Sequence, residues 1–235
     1  MSYISVKFKE DTRDVFKKDE EIKFDFSDND VILITGPNGC GKSTLINSLR
    51  SHICSNEDRQ DKALGTANLL YSDIRSFLKP ATEVDTDFKN MFYLSSEFDD
   101  PLSMFTSFDA CAYIENGGWA TAHVSKGQRL LYQFAKFMKK YKEKLDKDTV
   151  IIFDEVDTGY DLKNQITFYR MLPIMCLRHK CKCIVVTHCA IPFIYGNYKI
   201  YDLKEREYVE DGKEYLDKIY QYEPTKKDIH RDEEK

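Results

Sequence analysis

The chain has 235 residues, 42% hydrophobic and 32% charged, enough to bury a sizeable core as one large α/β domain or two small ones. Its formal net charge of −5 excludes a global basic field, and no apolar run reaches the length of a membrane span. Seven cysteines are an odd count, which argues against a closed disulfide framework, and residues 1–14 (MSYISVKFKEDTRD) lack the apolar stretch of a secretory leader, so a cytosolic address is expected.

Residues 3–8 and 21–26 alternate apolar with charged side chains, which predicts half-exposed strands in a small antiparallel layer. Residues 31–35 (VILIT) are apolar and β-branched and predict a buried strand. Residues 36–44 (GPNGCGKST) follow at once, and a helix is predicted to start at Leu45. Residues 49–87 are polar and mixed, read as helical in pieces, and residues 91–94 (MFYL) form a second apolar strand. A long amphipathic helix is predicted over residues 125–147, with Leu130, Leu131, Phe134, Phe137, Met138 and Tyr141 at helical spacing. Residues 149–153 (TVIIF) are a third buried strand. A helix over 163–177 is expected to kink or end at Pro173. Residues 183–187 are a fourth buried strand. Cys181 and Cys183 alternate along its approach as small core residues; with Cys176 they lack the paired CxxC spacing of a zinc site. Residues 199–203 and 208–210 predict a hairpin, and the charged tail 223–235 has almost nothing to bury.

Strand, glycine-rich loop, Lys-Ser and helix together form a complete phosphate-binding loop. Gly36, Gly39 and Gly41 let the backbone wrap closely and aim N–H groups at phosphate oxygens, and Pro37, Asn38, Cys40 and Thr44 are expected nucleotide contacts as parts of the same loop. Lys42 is placed to reach the β- and γ-phosphates of ATP, and the Ser43 hydroxyl to coordinate Mg²⁺. Cys40 either fills the loop or has its thiol activated by the backbone potential. The third strand ends in Asp154-Glu155. That pair either caps a helix or completes the site, with Asp154 on Mg²⁺ and Glu155 as the general base. His188, after the fourth strand, is suited to sense the γ-phosphate and orient water.

These elements together resemble the ABC-class ATPases. Residues 125–128 (SKGQ) look like the signature of that family, with Ser125, Gly127 and Gln128 as nucleotide contacts at a helix start. In the family this motif closes over the γ-phosphate held by a second subunit. The resemblance therefore implies a head-to-tail homodimer with two ATP molecules between protomers. Residues 155–161 (EVDTGYD) are similar to the family's E-P-T-S-G-L-D, which makes Asp161 a dimer-contacting aspartate. Transport ATPases carry a Gln after the strand preceding the signature. Here that strand leads into Ser95-Ser96-Glu97-Phe98, so Glu97 or a neighbouring Ser would take its place at the metal. The ending of residues 187–207 resembles small stand-alone bacterial ATPases, soluble relatives of DNA-repair and phage-defence ATPases.

The expected fold is an α/β P-loop domain over residues 1–222, with a mostly parallel core sheet, an N-terminal antiparallel flank and a helical insert over about 51–141. The expected function is slow hydrolysis of MgATP in a nucleotide-sandwich dimer, coupled to an effector protein or nucleic acid. The alternatives are the ATP-binding subunit of a transporter, with a membrane permease as partner, and a non-hydrolysing ATP-gated scaffold. Lysines 136, 139, 140, 142, 144 and 147 could track a nucleic-acid backbone, but interleaved Glu143, Asp146 and Asp148 favour a solvated helix face. Phe16 is the candidate upstream aromatic for stacking on adenine.

Overall fold

The computed structural model describes residues 2–12, 15–27, 30–55, 81–95, 134–135, 137–139, 141–196 and 198–220. Strands β1 (Ser2–Phe8) and β2 (Glu21–Phe26) pair antiparallel, with Tyr3 opposite Asp25 and Val6 opposite Ile22. Ile4, Val6 and Phe8 from one and Ile22, Phe24 and Phe26 from the other are buried, which is the period-two pattern read as a two-faced layer. A third strand, β4 (Thr82–Thr86), pairs with β1 and completes the sheet in the order β2-β1-β4. The segment 49–87, read as helical in pieces, is helical to Ser55 and a strand at 82–86, and its residues 56–80 lie outside the described residues. Glu83 and Asp85 face solvent, Val84 packs against the core, and Asp85 accepts a 2.7 Å bond from the Tyr3 hydroxyl. A polar edge strand needs only its partner's backbone, so its side chains carry little apolar signal.

The main sheet runs β5-β6-β7-β3-β8-β9, with β3 (Val31–Thr35), β5 (Asn90–Ser95), β6 (Thr149–Asp154), β7 (Lys182–Val186) and β8 (Lys199–Asp202) parallel, and β9 (Glu207–Val209) antiparallel at the edge. Strands β3 and β7 are buried throughout. Their alternate residues feed two cores. Ile32, Ile34, Val150, Ile152, Ile184 and Val186 face the first, with α1 (Lys42–Ser55) and the small sheet. Val31, Leu33, Ile151, Phe153, Cys183 and Val185 face the second, with α2 (Leu162–His179) and α3 (Ile191–Tyr195). Burial on both faces explains why these strands read as continuous apolar runs. Each fully buried aliphatic or Phe side chain contributes about 1.5–3 kcal/mol. Cys176, Cys181 and Cys183 lie fully buried in the second core, as small core residues.

Most of the helical insert expected over about 51–141 lies outside the described residues; those described there form the end of α1, two strands, and a helical stretch around Phe134 and Phe137. That stretch tightens to a 3₁₀ turn at Lys142–Lys144 and leaves helical geometry at Leu145, short of the expected Lys147. Asp146 forces the exit by accepting from Asp148 N at 3.0 Å and Thr149 Oγ1 at 2.7 Å.

Pro173 neither ends nor breaks α2, which continues to His179. Proline removes the N–H that would bond the carbonyl four residues earlier, on Tyr169. The Tyr198 hydroxyl donates to that carbonyl instead. Tyr198→Phe is therefore expected to lower stability by about 1–3 kcal/mol. Urea denaturation checks it; an unchanged midpoint would mean the carbonyl finds another donor.

The hairpin of β8 and β9 forms as expected, and β8 also joins β3 in the core. Helix α4 (Gly212–Tyr220) was not anticipated. Its signal is Asp211 with Glu214 three residues on, and Asp211 Oδ1 accepts from the N–H groups of Lys213 and Glu214 at 2.8 and 3.2 Å. The tail 223–235 lies outside the described residues. Among the described residues no helix is long and apolar enough to cross a membrane.

Candidate nucleotide site

Parallel neighbours end at the same edge, so β3, β6 and β7 deliver their following residues to one place. After β3 the backbone enters positive φ at Gly36 (137°), Gly39 (83°) and Gly41 (101°). Two of these glycines are also held by crowding. A Cβ on Gly36 would sit 2.8 Å from Cys40 Sγ, and one on Gly41 would sit 2.5 Å from the Phe16 ring and 2.6 Å from Val15 Cγ1. Cys40 is buried against Gly36, so it fills the loop. The amide of Leu45 bonds the Gly41 carbonyl at 2.9 Å, which starts α1 directly from the loop. The Lys42 ammonium is buried and donates to the carbonyls of Gly36 at 2.7 Å and Pro37 at 2.9 Å. Ser43 is exposed in the first turn of α1. Asn38 is exposed in the loop, and Thr44 is half-buried in the first turn of α1.

Asp154 ends β6, opposite Ser95 of β5 and Val186 of β7. The Tyr93 hydroxyl donates to Asp154 Oδ2 at 2.8 Å. Burial, then the Asp154 charge, push the Tyr93 phenol well above its ordinary range, so it remains a donor. Glu155 follows with φ 50°, a left-handed conformation costing about 1–2 kcal/mol in a non-glycine residue. Its N–H bonds the Val186 carbonyl at 3.0 Å, which sustains the turn. Its Oε1 lies 3.4 Å from His188 Nε2. The structure thus brings together two residues that are 33 positions apart in the chain and were assigned separately to water activation and γ-phosphate sensing.

Asp157 escaped the sequence reading. It is 2% exposed, and its Oδ2 accepts from the Tyr169 hydroxyl at 2.9 Å and Thr187 Oγ1 at 2.7 Å. Thr187 Oγ1 in turn accepts from Cys189 N at 2.8 Å, so one carboxylate braces both flanks of His188. The only sequence cue is a charged residue inside the EVDTGYD turn. Asp161, expected at a dimer contact, accepts from Asn164 N at 2.8 Å and caps α2.

Phe16 does not serve as an adenine platform in this arrangement. It is 1% exposed and stacks on Phe8 at 3.9 Å, while the Arg206 guanidinium stands 4.5 Å from its centroid. A groove of about 920 Å³ opens beside Gly36, Pro37 and His188. Its lining also carries Glu205, Glu207, Glu210 and Glu214, which outnumber Lys204 and Lys218 and make it a poor match for a triphosphate. Glu97, Ser125, Gly127 and Gln128 lie outside the described residues. Of the lysine-rich helix, Lys142 pairs with Glu143 at 3.8 Å and Lys144 lies over the Tyr141 ring.

A family model described as an AAA domain matches residues 15–99, which take in the phosphate loop and β5. No curated protein matches the sequence. Among solved structures, an ABC transporter assigned to the metal-chelate type, in an inward-facing conformation, is similar with a TM-score of 0.56 at 16% identity, covering 97% of this chain and 87% of that one. CbiO1 from Clostridium perfringens, part of the ABC transporter complex CbiONQ, is similar with a TM-score of 0.52 at 17% identity, covering 99% of this chain and 94% of that one. The fold is that of the ABC-type P-loop ATPases: a parallel core sheet flanked by an antiparallel sheet, with helices on both faces of the core.

Proposed function

We propose that the chain binds MgATP at the 36–44 loop and hydrolyses it slowly in a head-to-tail dimer. The observation that carries this reading is the convergence of the glycine-held loop, Asp154 and the Glu155–His188 contact at one sheet edge. The donor set suits Mg²⁺. Ser43 offers a hydroxyl and Asp154 a carboxylate, both hard oxygens, and a P-loop magnesium takes its other ligands from phosphate and water. Its role when bound is to neutralise charge on the β- and γ-phosphates.

Lys42 would leave the Gly36 and Pro37 carbonyls for the β- and γ-phosphates, exchanging neutral acceptors for charged ones. Glu155 would accept a proton from water, while His188, 3.4 Å away, orients that water and contacts the γ-phosphate. The paired Glu155 and His188 support turnover over a non-hydrolysing scaffold. For coupling, both similar structures come from ABC transporters, which favours a membrane permease over the repair or defence role expected from the sequence. Turnover raised by duplex DNA would count against the permease.

Mixing variants tests the dimer. Ser125→Arg blocks the surface offered to the partner's nucleotide, and Lys42→Ala blocks the chain's own site. Each alone should be inactive. In a mixed dimer one composite site holds both lesions and the other neither, so mixing should restore activity. Normal turnover by folded Ser125→Arg protein would remove the sandwich.

A further inference from the structure

We propose that Tyr93, on β5, is a positioning residue for the Mg²⁺ that enters with ATP, its phenol fixing the orientation in which the Asp154 carboxylate meets the cation. The inference rests on the MgATP reading above. It starts from the face of the sheet that these residues share. Parallel pairing sets Tyr93 opposite Ile152 and Ser95 opposite Asp154. Side chains alternate along a strand, so Tyr93 and Ser95 of β5 lie on the same face as Ile152 and Asp154 of β6. That face is the one α1 covers, since Tyr93 and Ile152 belong to the first core with Leu45, Ile46 and Leu49.

The two side chains offered to Mg²⁺ come from different elements, Ser43 from the first turn of α1 and Asp154 from the end of β6. Tyr93 is tied to both elements. Its hydroxyl donates to Asp154 Oδ2 at 2.8 Å. The guanidinium carbon of Arg50, further along α1, stands 5.4 Å from the Tyr93 ring centroid. The Ser95 hydroxyl donates to the same phenol oxygen. Tyr93 and Arg50 are each 2% exposed, so the ring is clamped where it is. Asp154 is half-buried: the phenol holds it from the core, and a cation would reach it from the solvent side.

The chemistry of the donor suits this task. A carboxylate that serves a cation needs a fixed orientation and its negative charge. A lysine or arginine partner would supply the first and compete for the second. A phenol O–H orients the carboxylate and brings no charge of its own. Outer partners of this kind set the affinity of a metal site without touching the metal.

Calorimetric titration of ATP, with Mg²⁺ present and with the metal chelated, separates metal support from phosphate grip. The wild type should bind MgATP more tightly than metal-free ATP. Tyr93→Phe keeps the ring and loses the donor. It should weaken MgATP by about tenfold or more and leave metal-free ATP unchanged. Asp154→Ala should lose the same metal-dependent gain, and adding Tyr93→Phe to it should cost MgATP nothing further, because the phenol acts only through that carboxylate. The double variant removes both ends of the bond and strands neither, so it keeps the test open even if Tyr93→Phe alone folds poorly. Unchanged MgATP affinity in folded Tyr93→Phe protein would overturn the proposal, as would equal losses for both forms of ATP or a further loss in the double variant. A wild type that binds metal-free ATP as tightly as MgATP would overturn the metal support and leave the phosphate loop standing. A wild type that binds neither would overturn the phosphate-loop reading and this one with it.

Discussion

Glu155→Gln is expected to lower ATP turnover by on the order of 10²–10⁴ while leaving MgATP affinity near that of the wild type. The amide keeps the size of the carboxylate and the hydrogen-bond reach to His188, 3.4 Å away, but cannot accept a proton from water. The positive φ at residue 155 is a backbone property sustained by the Val186 carbonyl, so the turn should survive the change. With binding intact and hydrolysis stopped, the nucleotide stays between protomers. Sedimentation velocity should therefore find a dimer with MgATP and a monomer with MgADP. Wild-type turnover in this variant would remove Glu155 as the base. Inactive protein that stays monomeric would keep the base and remove the sandwich.

Lys42→Ala is expected to raise the dissociation constant for MgATP by about 30-fold to several thousand-fold, the range for removing one partner of a buried, hydrogen-bonded charge contact. Lys42 is 7% exposed and bridges the carbonyls of Gly36 and Pro37, so its loss removes a donor from each, although Pro37 keeps the Cys40 N–H at 3.4 Å. The variant should melt lower than the wild type without nucleotide. The sharper readout is the shift on adding MgATP. A ligand that binds only the folded state raises the melting point of the wild type, and Lys42→Ala should lose that rise. Lys42→Arg should not restore it, because a planar fork does not replace a compact ammonium between two phosphates. A full nucleotide-induced shift in Lys42→Ala would mean that MgATP binds elsewhere.

The buried parallel strands were legible because both of their faces are covered, which makes VILIT, TVIIF and CIVVT continuous apolar runs. The loop was legible because its glycines, lysine and serine act through neighbours in sequence. The edge strand β4 was not, since Thr82–Thr86 carries two acidic residues and takes its order from β1. Pro173 looked like a helix terminator because the donor that relieves it, Tyr198, comes 25 residues later and from another element. Phe16 had the right position and chemistry for stacking, yet Phe8 and Arg206 take both its faces, and no local pattern records that. Asp157 shows the same limit. Its partners Tyr169 and Thr187 reach it only after α2 folds back onto β7.

Release of inorganic phosphate from MgATP by the purified wild-type chain, with Lys42→Ala prepared in parallel, tests the central claim most directly. The expected result is saturable release by the wild type that stops when Mg²⁺ is chelated and is absent from Lys42→Ala at every ATP concentration. Release of equal size from both proteins, or none from a wild-type protein shown to be folded, would contradict it.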